Sequence, residues 1–152
     1  MIKVKTMKQE THQRFLEICR QQGWKCTSQR LSVYDFICEN YTHPTVDVVW
    51  SHVKINMPSI TRESIYRILN EFASCGIIHR LDHIESARYD GQTGPHGHFI
   101  CTQCGVIQDF ALPKTVAIPQ NAFSGDVDHL ELRVTGICST CKNKPTKTKQ
   151  TN

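Results

Sequence analysis

In the first half of the chain, apolar positions recur at helical spacing. Phe15, Leu16, Ile18 and Cys19 form one apolar stripe, which ends around Gly23. Thr27 or Ser28 is placed to cap a second helix that turns Leu31, Tyr34, Ile37 and Cys38 toward a core. Thr45 is placed to cap a third, with Val46, Val49, Trp50 and Val53 inward and a stop before Pro58. Ser59 or Thr61 opens a fourth helix, whose inner face is Ile65, Ile68, Leu69 and Phe72 and which Gly76 ends. The pattern then changes, and short β-prone runs at 77–82 and 86–90 predict a hairpin.

Helices followed by a hairpin is the order of a winged helix-turn-helix, whose helix before the hairpin enters the major groove of DNA. The outward side of that helix carries Arg62, Glu63, Tyr66 and Arg67. Arginine forks onto guanine or phosphate, and tyrosine hydrogen-bonds phosphate while packing on sugar. Periodicity alone favours an ordinary solvated helix face for these four. Gly91, Gly94, Pro95 and Gly97 have the composition of a hinge or linker. Beyond them, β-prone segments at 98–102, 106–110 and 130–134 and an ambiguous stretch at 113–121 predict a second, α/β domain. The expected fold class is therefore α+β. It comprises a winged-helix domain over 1–89, a hinge over 90–97, an α/β domain over 98–141 and a disordered basic tail over 142–152.

Composition narrows this only slightly. A chain of 152 residues accommodates one compact domain or two small ones. No apolar run approaches the roughly 18 residues of a membrane span. The N-terminus lacks the apolar core of an export signal, so a cytoplasmic protein with no membrane partner is expected. The net charge is +4, and Lys142, Lys144, Lys147 and Lys149 equal the whole excess. The argument for nucleic acid therefore rests on pattern and not on net charge.

The chemistry is concentrated near the C-terminus. Cys101 and Cys104 form one CxxC pair, Cys138 and Cys141 another. Two such knuckles complete an all-sulfur tetrahedron that suits a structural Zn(II), and each is expected at the end of a strand. Without an export signal, disulfides are the weaker reading. A thioredoxin-like motif would need a single CxxC at a helix start in a βαβ setting. His96 and His98 precede the first knuckle, and residues two apart in a strand face the same way, so both imidazoles can reach one ion. Taken singly, His43, Asp90 and Asp109 read as surface or turn residues, and His43 before Pro44 as an ordinary turn. Cys19, Cys38 and Cys75 fall near apolar helix faces and read as buried fillers. Cys26 reads as exposed, and a thiol-based redox switch would draw on these four cysteines.

Seven motifs occur in a fixed order: TSQR at 27–30, HPTVD at 43–47, IYR at 65–67, GII at 76–78, RYD at 88–90, HGHFICTQCG at 96–105 and CSTC at 138–141. From about residue 10 to 141 the chain resembles the ferric uptake regulator family, dimeric metal-sensing transcription factors of bacteria. The resemblance implies a winged helix, a hinge and an α/β dimerisation domain that carries the zinc knuckle. It also implies that His43, Asp90, His96, His98 and Asp109 hold a regulatory ion. Three nitrogens and two carboxylates suit Fe(II) or Mn(II). Asp90 stands where zinc-uptake regulators commonly use cysteine. Asp109 stands where plain iron sensors usually place glutamate, and so resembles the peroxide-responsive branch. The extra metal site of many iron sensors would fall near Pro95, Gly97, Val116 and Leu130, whose side chains cannot serve as ligands.

The implied function is a homodimeric repressor of a palindromic, A/T-rich double-stranded operator, with Arg30, Arg62, Tyr66 and Arg67 at the DNA. Peroxide would act by Fe(II)-catalysed oxidation of His43 or His96. The alternative within the family is Fe(II) sensing without peroxide chemistry. The alternative of another class is a mononuclear non-haem iron enzyme built on His96, His98 and Asp109. That reading leaves the winged-helix half unexplained, so no enzyme activity is expected.

Overall fold

The computed structural model describes residues 2–82, 86–112, 122, 124–125 and 131–143, with side chains from residue 9 onward. The chain divides into two compact units, Met1–Thr93 and Gly94–Asn152.

The N-terminal unit consists of helices α1 (Ile2–Gln22), α2 (Ser28–Glu39), α3 (Val46–Asn56) and α4 (Arg62–Ser74), followed by strands β1 (His79–Leu81) and β2 (Arg88–Asp90). The strands pair antiparallel, with Arg80 opposite Tyr89. Three threonines start three helices in the same way. The Thr27, Thr45 and Thr61 hydroxyls accept from the backbone N–H of Arg30, Val48 and Ser64, each satisfying a donor the first turn leaves over. Two glycines end two helices alike. Gly23 and Gly76 adopt φ of +66° and +68°, and the next residues, Trp24 and Ile77, donate back to the Cys19 and Phe72 carbonyls at 2.8 and 2.9 Å.

The core of this unit is aromatic at its centre. Phe15 stacks on Tyr34 at 4.9 Å between ring centroids, and both meet the Phe72 ring edge-on at 5.9 and 6.2 Å. Ile65, Ile68 and Leu69 of α4 are buried beside them, as are Val49 and Val53 of α3. Two helix faces differ from expectation. Leu16 is 41% exposed, because Phe15 and Cys19, four apart, already fill the inward face of α1. On α2, Val33 is fully buried with Tyr34 and Ile37, while Leu31 and Cys38 lie at the flanks of that stripe.

Among the described residues the C-terminal unit forms a three-stranded sheet of β3 (His96–Cys101), β4 (Ile107–Ala111) and β5 (Leu132–Gly136), with a short helix α5 (Ser139–Lys142). The order is β4-β3-β5. β3 pairs antiparallel with β4, placing His98 opposite Asp109, and parallel with β5, placing Cys101 opposite Gly136. β3 begins two residues earlier than expected, so both histidines lie in the ladder. The ambiguous stretch at 113–121 and the tail from 144 onward lie outside the described residues.

Two glycines of the expected hinge serve close packing. A Cβ on Gly97 would sit 2.4 Å from the ring of Phe110, its cross-strand neighbour, and one on Gly91 would sit 2.7 Å from the Ile37 carbonyl oxygen. Asp90 belongs to β2, and His96 and Gly97 belong to β3. Among the described residues no helix is long and apolar enough to cross a membrane.

Candidate metal centres and reading helix

The four knuckle sulfurs come together at the closed end of the C-terminal sheet. Cys101 ends β3 and Cys138 follows β5, so the parallel pairing of these strands brings the two CxxC segments side by side. All four Sγ atoms lie within 4.8 Å of one another, and Cys104 and Cys138 approach to 3.7 Å. Zn–S bonds of about 2.3 Å in a tetrahedron require sulfurs about 3.8 Å apart. The first turn-back is made by Gly105 at φ +69°, whose N–H donates to the Cys101 carbonyl at 2.9 Å.

The backbone prepares this cluster for negative charge. The Cys138 N–H donates to Cys101 Sγ at 3.3 Å, and the Cys141 N–H donates to Cys138 Sγ at 3.4 Å. The N–H groups of Cys138 and Cys104 bring the Cys101 thiol down from 9.0 to about 6. The Cys141 thiol is pushed up to about 12, because it donates to the neighbouring Cys104 and Cys138 sulfurs. A dication lets all four ionise, so the residues fit zinc.

The second donor set of this unit lies on β3 and β4. His96 Nδ1 is 2.7 Å from the Gly94 carbonyl oxygen, which can only accept, so Nδ1 carries the proton and Nε2 the lone pair. That Nε2 lies 3.0 Å from His98 Nε2. Across the strand pair, Asp109 Oδ1 lies 3.6 Å from His98 Nε2 and 4.0 Å from His96 Nε2. Both histidines are buried, whereas Asp109 is an exposed residue whose side chain is 22% accessible. Two facing imidazole nitrogens beside a carboxylate need a proton or a cation among them, so these residues fit a divalent ion with nitrogen and oxygen preference.

The N-terminal unit holds a donor pair of its own. His43 and Asp90 are 1% and 3% exposed, and His43 Nε2 lies 4.0 Å from Asp90 Oδ2. His43 is no ordinary turn residue. Its φ is +53°, left-handed for a side-chain-bearing residue that also precedes a proline. Such a conformation costs about 1–3 kcal/mol and persists only where its surroundings enforce it. Here β2 does so: Arg88 Nη1 donates to the His43 carbonyl at 3.4 Å, and the Tyr89 N–H donates to the Pro44 carbonyl at 3.1 Å. The Gln92 N–H occupies Asp90 Oδ1 at 2.8 Å, which leaves Oδ2 as the oxygen on the His43 side. Arg88 was not singled out from the sequence, and only its place two residues before Asp90 hints at this bracing role.

Of the four residues expected at DNA, three lie together on α4. Arg62, Tyr66 and Arg67 are exposed. Arg62, the first residue of α4, forks onto Asp47 of α3: Nε reaches Oδ1, and Nη2 reaches Oδ2 at 3.2 Å. This pairing holds the Asp47 carboxyl below the usual carboxylate range. Arg30, on α2, makes contacts within the N-terminal unit. Its Nη2 donates to Glu71 at 2.7 Å, its Nη1 to the Lys25 carbonyl at 3.1 Å, and its plane lies 4.9 Å from the Trp24 ring centroid. The guanidinium therefore ties the start of α2 to α4, and only a long-range contact reveals it. On the hairpin, Arg80 of β1 donates to Asn70 of α4 at 2.7 Å, which fastens the wing to the reading helix.

A model of the ferric uptake regulator family matches residues 21–134. The chain is 34% identical over 129 residues to the peroxide-responsive repressor PerR of Staphylococcus aureus, covering 82% of this chain and 87% of that protein. Among solved structures, it is similar to the ferric uptake regulator of Francisella tularensis with iron. The TM-score is 0.66 at 31% identity, with 79% of this chain and 96% of that chain covered. It is also similar to the Helicobacter pylori ferric uptake regulator, described as having three functional metal-binding sites. That TM-score is 0.72 at 21% identity, with 89% and 93% covered, a likeness of fold.

Proposed function

This chain belongs to the ferric uptake regulator family of metal-responsive regulators, and from that premise we propose that it is a homodimeric, peroxide-responsive repressor. The observation that carries the reading is the His96–His98–Asp109 set, built on the same strand that ends in the Cys101 knuckle. In this reading, Cys101, Cys104, Cys138 and Cys141 hold a structural Zn(II). His43 and Asp90 join His96, His98 and Asp109 as the ligands of one regulatory Fe(II) or Mn(II). The segment joining β2 to β3 is then the hinge. An ion that prefers the assembled ligands shifts the population toward the DNA-competent arrangement by its differential affinity.

Arg62, Tyr66 and Arg67 serve the major groove of a palindromic, A/T-rich operator, and their phosphate contacts make affinity fall with salt. Homodimerisation is supported by β5, which among the described residues pairs only with β3, and by Val134 and Ile137, 44% and 50% exposed along and just beyond it. The family's metal-responsive regulation, and not catalysis, accounts for the winged-helix half that an iron enzyme would leave without a role.

Bound Fe(II) would supply the redox chemistry by which peroxide transfers one oxygen to a ligand imidazole, leaving water. His43 or His96 would be the acceptor. His43 is already held in a conformation that depends on its surroundings, so losing its nitrogen as a ligand removes a support on which the assembled state relies. The test is peptide mass after peroxide treatment of the iron and manganese forms, read beside a DNA gel shift. One oxygen is expected on His43 or His96 in the iron form alone, together with loss of the shift. If the iron form responds to its metal but neither histidine gains oxygen and DNA stays bound, plain Fe(II) sensing takes over.

A further inference from the structure

We propose that Asp47 is a specificity-determining positioning residue, which holds the Arg62 guanidinium in a fixed plane so that its outer edge reads one base pair of the operator. The inference rests on the DNA-binding reading above and goes beyond it, because an acidic residue is assigned a part in recognising a polyanion.

The geometry begins with the two helices of the helix-turn-helix. Arg62 is the first residue of α4, the end of a reading helix that reaches base edges. Asp47 lies in the first turn of α3, where the helix dipole favours a carboxylate. Arg62 spends Nε–H on Oδ1 and one Nη2–H on Oδ2, a two-point fork that fixes both the plane and the roll of the guanidinium. Of its five N–H groups, two on Nη1 and one on Nη2 remain, and one from each of these nitrogens points out along the outer edge. That edge is the donor pair that matches guanine O6 and N7.

The pair is solvent-exposed, with side chains 56% and 62% accessible, so it adds little to folding. A fork of this geometry on the reading helix is therefore better accounted for by what it presents than by what it stabilises. The ion pair is also locally neutral. An unpaired arginine would attract any phosphate, whereas a paired one contributes less to sequence-independent attraction and keeps its directional donors. Asp47 thus lowers affinity for DNA in general while sharpening affinity for one sequence.

The test is selection from a randomised duplex pool in the presence of Mn(II), run with the wild type, D47A, D47E and R62A. The wild type is expected to enrich a palindromic motif. D47A and R62A should lose preference at the same base pair of each half-site and keep the rest, while D47E retains much of it. By anisotropy, the ratio of affinity for the selected duplex to that for a scrambled one should fall about tenfold in D47A, the size of one arginine–base contact. Its binding to the scrambled duplex should tighten and become more salt-dependent. A purely structural role would instead lower the melting temperature and weaken both duplexes alike, which overturns the inference. So does a D47A motif identical to the wild-type one. If the wild type enriches no sequence, the DNA-binding reading falls first and takes this inference with it.

Discussion

The two units of this protein are held together by different physics. In the N-terminal unit Phe15, Tyr34 and Phe72 interlock at the centre of four helices, and the buried side chains around them are apolar. Among the described residues of the C-terminal unit, Cys101, Cys138 and Cys141 form a buried cluster with Phe99 packed against it, and Ile100 and Ile107 are buried as well. Four sulfurs gathered beside the ends of β3 and β5 couple metal binding to the folding of this unit, where the other unit relies on hydrocarbon. The unit that would grip DNA thus has an apolar core of its own, and the unit carrying His96, His98 and Asp109 has a sulfur cluster suited to an ion.

Zinc removal should break this contrast most sharply. Structural zinc sites contribute about 10–16 kcal/mol of binding free energy. Stripping the metal, or replacing Cys138 by serine, should abolish amide-exchange protection in β3 and β5 while leaving α2 and α4 protected. Simultaneous loss in both units would show that they fold as one. Acid should act in the same direction. The Cys101 thiol titrates near 6 in the folded chain against 9.0 ordinarily. Its thiolate therefore adds stability that is fully present above pH 9 and gone once the pH has fallen through about 6. Zinc uptake by the metal-free protein should weaken as the pH falls toward that limit, because the ligand thiols must ionise to bind, and uptake unchanged down to pH 4 would contradict the assignment.

The converse perturbation is Phe72→Ala. Removing a fully buried ring at the aromatic junction should destabilise the N-terminal unit by about 3–5 kcal/mol. Denaturant midpoints should fall while zinc content stays constant, and a parallel loss of zinc would argue against independent cores. Gly97→Ala is a smaller change with a sharper reading. Its methyl would meet the Phe110 ring at 2.4 Å, so either that ring swings away or the strand pairing that sets His98 against Asp109 is displaced. A cost of about 1–3 kcal/mol is expected from overpacking. Mn(II) affinity should fall by more than the melting temperature suggests, and unchanged affinity would mean that the Phe110 ring, and not the strand pairing, gives way.

Much of this organisation was legible without coordinates. Helical spacing located the helices, Thr27, Thr45 and Thr61 marked three starts, and Gly23 and Gly76 marked two stops. These features are local, set by the period of the backbone and by the donors and acceptors each helix end leaves over. The two CxxC pairs likewise carried their own chemistry, because a knuckle needs only four consecutive residues. Where one helix face had more apolar candidates than room, as with Leu16 and Val33, the pattern did not choose correctly.

The remainder belongs to tertiary structure. That His43 is buried at positive φ beside Asp90, that Asp109 faces His98, that Arg30 turns inward to Glu71 and Trp24, and that Asp47 holds Arg62 all depend on residues far apart in the chain. Periodicity reports which way a side chain leaves its own helix or strand and is silent on what it meets there. By itself the sequence determined the elements, their caps and the sulfur ligands. Only the packing of those elements decided which polar groups converge, because convergence is set by strand register and helix docking and not by spacing along the chain.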